Sequence, residues 1–154
     1  MQLWARDIDI QELNDKARGT LNATLGIEIT SFTENTLTGR MPVNEHTIQP
    51  AGVLHGGASV ALAETLASWA GSLAVDATRF HVVGQEINAN HLRAGVAGQW
   101  VQGTASPVHV GSKSQVWEIR ISNETGKLVC ISRCTLAVLD TPGQYARAEE
   151  RTGA

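Results

Sequence analysis

Cysteine is scarce in this chain of 154 residues, and runs of like charge and internal repeats are missing altogether. The two cysteines, Cys130 and Cys134, stand four apart in a segment rich in strand-forming residues. On one face of a strand that spacing holds them roughly 13 Å apart, too far for a direct disulfide. With no secretory leader pattern at the N-terminus, the expectation is reduced thiols in a cytoplasmic protein. No block of lysine and arginine occurs. The net charge is −3 with the signs interspersed, which argues against nucleic acid or an anionic membrane surface as a partner. His46, His55, His81, His91 and His109 have no metal-ligand spacing and join no Cys/His cluster, so neither a metal nor a cofactor is expected. No linker divides the chain, and its length suits one domain with one core.

What is present is a long apolar helix among strands. Residues 53–75, VLHGGASVALAETLASWAGSLAV, approach membrane-spanning length. Alanine dominates them, however, and Glu64, Ser59, Thr65, Ser68 and Ser72 interrupt them, which fits a helix buried in a soluble protein. Before it, DIDIQELNDKA has room for a helical turn or more, and TLNATLG leads toward two alternating runs, 27–32 and 36–43, joined at Glu34-Asn35. After it, residues 79–93, 98–110, 112–122 and 127–139 read as four strands, the last two joined by the turn NETGK. Residues 1–139 thus form one domain, and 140–154 read as a polar, disordered tail. Strands grouped around one helix indicate an α+β fold. A helix apolar nearly all round must be enclosed, and a curved sheet wrapped around it meets that demand. A single such layer leaves an open edge, for which pairing with a second subunit is the expected remedy.

Glu64 is the only charged residue of that helix, and Gly57, Val60, Ala61, Ser68 and Gly71 share its face. These residues are mostly small and leave space beside the carboxylate. At the helix start, Gly56 and Gly57 offer backbone N–H groups at the positive end of the helix dipole. An oxyanion-binding end with a carboxylate two turns on suits hydrolysis of an activated acyl group. The N–H would polarise the carbonyl, and the acid would act as base or nucleophile. A thioester is a natural target because its thiolate leaves readily. The residues alone leave a second reading open, in which Glu64 is solvated or ion-paired and Gly56-Gly57 is an ordinary turn. The segment GASVA, residues 57–61, is similar to a Gly-x-Ser-x-Gly elbow but ends in Ala61 and follows no strand, which disfavours Ser59 as nucleophile.

The segments MPVNEHTIQPAGVLHGGASVALAETLASWAG, VVGQEINANHLR and PVHVGSKSQVWEIRI resemble the hotdog-fold acyl-CoA thioesterases over residues 3–139. Within that group they are most similar to the 1,4-dihydroxy-2-naphthoyl-CoA hydrolases of menaquinone biosynthesis and to siderophore-pathway proofreading thioesterases. The resemblance implies a curved antiparallel sheet around a central helix, and a hydrolase of aromatic acyl-CoA that needs no cofactor beyond the coenzyme A of its substrate. It implies that Glu64 is nucleophile or general base, that the Gly57 N–H and His55 hold the thioester carbonyl, and that Ser68 orients water. Gln49 would enter from a neighbouring subunit. Gly84, Asn90, His91, Leu92 and Arg93, and the loop His109, Val110, Gly111, Ser112 and Lys113, would contact coenzyme A, with Arg93 and Lys113 suited to phosphate. Trp69 departs from the smaller residue usual in relatives and would border the acyl pocket. A homodimer forming the active site, assembled as a homotetramer, is implied. Misloaded aryl carrier protein, phenylacetyl or hydroxybenzoyl thioesters are the alternative substrates, and a non-catalytic acyl-CoA-binding module is the alternative class.

Overall fold

In the computed structural model, which describes residues 3–141, two short helices lead into a six-stranded antiparallel sheet that carries one long helix. The elements are α1 (Ile10–Lys16), α2 (Leu21–Leu25), β1 (Glu28–Phe32), β2 (Leu37–Pro42), α3 (Gly56–Leu73), β3 (Phe80–His91), β4 (Trp100–Val110), β5 (Ser114–Asn123) and β6 (Leu128–Asp140). The sheet order is β1-β2-β4-β5-β6-β3. β3, next in the chain after α3, therefore crosses to the far edge and pairs with β6 from Phe80↔Asp140 to His91↔Cys130. The α+β class and the strand grouping match the expectation. Asp140 still belongs to β6, and the tail expected from there lies, from residue 142 on, outside the described residues.

Local sequence explains the elements. In β5, Gln115, Trp117, Ile119 and Ile121 are buried at every second position, the period of a strand with one face on a core. Asp9 caps α1, its Oδ1 accepting from the N–H groups of Gln11 and Glu12 at 2.9 and 3.2 Å. Asn14 then fastens α1 to the sheet. Its Nδ2 donates to the Ile29 carbonyl at 2.9 Å and its Oδ1 accepts from the Ile29 N–H at 2.8 Å. One side chain thereby satisfies both backbone groups of Ile29 on edge strand β1, where an open edge would invite pairing.

The core lies between α3 and the inner face of the sheet. Ala58, Leu62, Ala63, Leu66, Ala67, Ala70 and Leu73 are buried on the helix side. Leu66 enters a hole made by Gly39 and Gly103, which are paired across β2 and β4. A methyl on Gly39 would stand 2.9 Å from Leu66 Cδ2, and one on Gly103 2.7 Å from its Cδ1. Toward the helix C-terminus, the buried Trp117 indole donates to Gln115 Oε1 at 2.9 Å, and Gln115 Nε2 donates to the Gly71 carbonyl at 3.3 Å. Trp4 stacks on Trp117 with centroids 6.4 Å apart. No helix among the described residues is long and apolar enough to cross a membrane.

Two expectations need correction. Residues 21–25 are not a lead-in to β1 but the one-turn helix α2, closed by Gly26 in the left-handed conformation at φ 69°. Nor is α3 enclosed all round by its own sheet. Gly57 and Glu64 are exposed, and Ala61, Thr65, Ser68, Trp69 and Ser72 are only half-buried, because the sheet packs against one side of the helix. Leu66→Ala is expected to cost about 3–5 kcal/mol, the upper part of the Leu→Ala range, since the glycine-lined hole has no side chains with which to collapse. Urea denaturation of the two proteins measures it.

Candidate functional site

Strand β3 runs antiparallel alongside α3 and comes close enough at two points that only glycine fits without a shift. His91, at the end of the strand, lies over the start of the helix, where a methyl on Gly56 would be 2.8 Å from His91 Nε2. Midway, Gly84 faces Glu64, and a methyl there would be 2.9 Å from the carboxylate Oε1. Near the helix end, Val82 Cγ2 would be 3.4 Å from a methyl on Gly71. The β3–β6 register shifts between Gly84 and Glu86, so a bulge sits directly beside the carboxylate. Gly84, expected among coenzyme-binding residues, thus gives room to Glu64. Gly71, expected to leave space near Glu64, does not: a methyl there would strike Leu136 Cδ1 and come within 2.7 Å of Gln115 Oε1, so that stretch of the face is packed solid.

The other side of Glu64 is open. Glu64 borders an open cleft of about 560 Å³ that Ser68 and Trp69 also line, with Lys16 and with Leu21 and Asn22 of α2 on its other side. Glu64 enters no ion pair among the described residues, which removes the reading of a structural salt bridge. A carboxylate beside an open cleft can accept a proton from water or attack a carbonyl.

The remaining expected residues fall into two groups. Gln49, Gly56, His91, Leu92 and Arg93 line a second cavity of about 420 Å³ at the helix N-terminus. Here Gln49 Oε1 accepts from the Ala51 N–H at 2.6 Å, and Arg93 donates to the Leu128 carbonyl at 2.9 Å. Ser59 is among the residues lining this cavity but is buried one turn into α3, which is no place for an exposed nucleophile. Asn90 is exposed on β3 opposite Ile131. His109 and Val110 end β4, and Gly111, Ser112 and Lys113 form the turn to β5, bordering neither cavity. The Lys113 carbonyl accepts from Val138, which pairs with Val82. Nine residues of β3, roughly 30 Å, therefore separate this loop from His91 and Arg93. One chain does not bring Arg93 and Lys113 together. Nor does it bring Gln49 to Glu64, since they face different cavities.

The helix N-terminus also differs from the expectation. The Gly57 N–H is not free. It donates to Nδ1 of His55, the N-cap residue, at 2.8 Å. The cap supplies the acceptor that a ligand oxygen was expected to supply, and a ligand would have to displace the imidazole. The residues missed from the sequence are those of the far cavity wall, Lys16, Leu21 and Asn22. Thr20 at the cap position and Gly26 just past the last turn were the signals that could have located α2.

Cys130 and Cys134 are free and buried on β6. Burial pushes the Cys134 thiol up to about 11, and the negative charges of Glu64 and then Glu86 add to this. Burial alone raises Cys130.

Residues 51–130 match the thioesterase superfamily. The 1,4-dihydroxy-2-naphthoyl-CoA hydrolase of Escherichia coli is 45% identical over 137 residues, covering 89% of this chain and 99% of that protein. A proofreading thioesterase of Cronobacter turicensis is 47% identical over 137 residues, covering 89% and 98%. The crystal structure of a thioesterase from Haemophilus influenzae superposes with a TM-score of 0.88 at 45% identity, covering 92% of this chain and 98% of that one.

Raised thiol pKa values mean that the folded state holds these protons more tightly than the unfolded one. That contribution to stability is complete below pH 9, the ordinary thiol value, and is lost as the pH rises toward 11. Both thiols should resist a thiol-reactive dye in the native protein at pH 8 and react fully in denaturant. The Cys134→Ala protein should lose less stability between pH 9 and 11 than the parent, as urea midpoints will record.

Proposed function

The chain belongs to the thioesterase superfamily, and on that footing we propose that it hydrolyses an aromatic acyl-CoA to the free acid and coenzyme A, with 1,4-dihydroxy-2-naphthoyl-CoA as the substrate. The observation that carries this reading is Glu64, a carboxylate without an ion-pair partner among the described residues, set beside Gly84 in a cavity that Trp69 and Ser68 also line. Its carboxylate either attacks the thioester carbon and expels the thiolate of coenzyme A, leaving a mixed anhydride that water then hydrolyses, or takes a proton from a water oriented by Ser68 that attacks the carbon and expels the thiolate. His55 holds the Gly57 N–H until the substrate arrives. The thioester oxygen then replaces His55 Nδ1 as acceptor, an exchange of one hydrogen bond for another at little net cost. As negative charge builds on that oxygen, the N–H and the helix dipole stabilise it.

The site is completed by a second copy of the chain. Gln49 and Glu64 face separate cavities in one chain, and β3 is an edge strand of the six-stranded sheet. Antiparallel pairing of two β3 strands satisfies that edge and sets the Gln49 end of one chain against the Glu64 cavity of the other, with the coenzyme spanning both. Two such dimers form the tetramer. The similarity to a proofreading thioesterase favours a second reading, an aryl group held on a carrier protein. kcat/KM measured on naphthoyl-CoA, long-chain acyl-CoA and aryl carrier thioesters ranks these substrates, and a preference for long alkyl chains would exclude the naphthoyl assignment.

Glu64→Gln should lower kcat by about 10² or more, the scale of a lost base or nucleophile, with fold and assembly retained. Unchanged turnover would end the mechanism. Mixing inactive Glu64→Gln and Gln49→Ala proteins under conditions of subunit exchange should restore about a quarter of parental activity. Half the dimers are then mixed and each holds one intact site. No recovery would place Gln49 and Glu64 in the same chain's site or remove Gln49 from it.

A further inference from the structure

Helix α2 supplies a selective element that nothing in the catalytic reading uses. Asn22 lies half-buried on it, and its Oδ1 accepts from the hydroxyl of Thr65 at 3.0 Å. That bond fixes the amide plane, and the Nδ2 group is left with no acceptor among the described residues. Both residues line the 560 Å³ cavity that holds Glu64, and Thr65 is the next residue along the helix. Within the same cavity, Trp69 and the 62% exposed Leu21 offer apolar walls. Lys16 stands at the rim, ion-paired with Glu12.

Resting on the thioesterase reading above, we propose that Asn22 and Thr65 form a polar clasp that selects acyl groups whose flat ring carries an oxygen substituent. The Nδ2 group donates to that oxygen, and the Thr65 hydroxyl, its proton committed to Asn22, offers its lone pairs to the substituent's own hydrogen. An alkyl chain in the same place would cover a donor without satisfying it, which disfavours binding. An unsubstituted ring would fill the apolar walls but leave the clasp unpaired. Because α2 precedes the sheet and contributes no acid or base, changing it alters which acyl group is accepted and leaves the reacting atoms in place.

Binding measured by calorimetry tests the clasp apart from turnover. In the Glu64→Gln protein, where the thioester is not consumed, 1-hydroxy-2-naphthoyl-CoA should bind about five- to tenfold more tightly than 2-naphthoyl-CoA, the worth of one satisfied neutral hydrogen bond. Adding Asn22→Leu or Thr65→Val should bring the two affinities together. Thr65→Ser, which keeps the hydroxyl, should preserve the preference. Equal binding of the two thioesters to the Glu64→Gln protein, or a preference that survives both Asn22→Leu and Thr65→Val, overturns the clasp. Coenzyme A alone should bind all variants alike, which separates a local effect from a folding defect, and the Thr65→Val/Thr65→Ser pair decides should Asn22→Leu not fold. Hydrolysis by the parent protein is scored separately, so that its absence counts against the thioesterase reading while the affinity ratio still judges the clasp.

Discussion

Everything at the site follows from how closely β3 approaches α3. A strand with side chains at each contact would be held away from the helix and would leave Glu64 loose on an open surface. Gly84 removes the side chain at the one point where the carboxylate needs space, and the adjacent bulge bends the strand there. Gly56 lets His91 lie across the helix start, and Gly71 lets Leu136 and Gln115 fill the far end. The acid is then held from one side by backbone while its other side stays open to the cavity. Positioning by backbone suits a catalytic group, because neither contact adds a charge that would neutralise it.

The same arrangement explains why the helix is apolar yet incompletely covered. One face buries leucines and alanines against the sheet, with Leu66 seated between Gly39 and Gly103. The opposite face presents small residues, hydroxyls, Trp69 and Glu64 to the space under α1 and α2. A fully buried helix would be more stable and have nowhere to hold a ligand. Stability is recovered at the sheet, where six strands pair in one continuous antiparallel ladder and Asn14 closes the β1 edge. β3, the strand that carries both Gly84 and His91, forms the other edge of that sheet.

Strong periodicity made most of the fold legible in the sequence. The every-second-residue burial of Gln115, Trp117, Ile119 and Ile121 and the uninterrupted alanine-leucine helix need only local pattern, and both were found where that pattern put them. Glu64 stood out because a lone charge in such a helix is rare. What local pattern does not carry is which atoms meet. Helical geometry puts Gly71 on the face of Glu64, but only the path of β6 decides that Leu136 fills the space there. The Gly57 N–H is an orphan by position, and it takes the His55 ring, two residues back, to satisfy it. Helix α2 has five residues, too short for any periodic signal, and its role comes from tertiary placement of Asn22 against Thr65. Nor does local pattern show that the length of β3 separates Arg93 from Lys113 within one chain.

A ligand entering between Trp69 and Leu21 would displace water from beside Glu64. The residues that line the cavity with Glu64 include no second acid and no histidine, only Lys16, which suits substrates whose leaving group departs as a stable anion. A thioester meets that requirement, whereas an amide or simple ester would need a proton donor that this cavity does not provide.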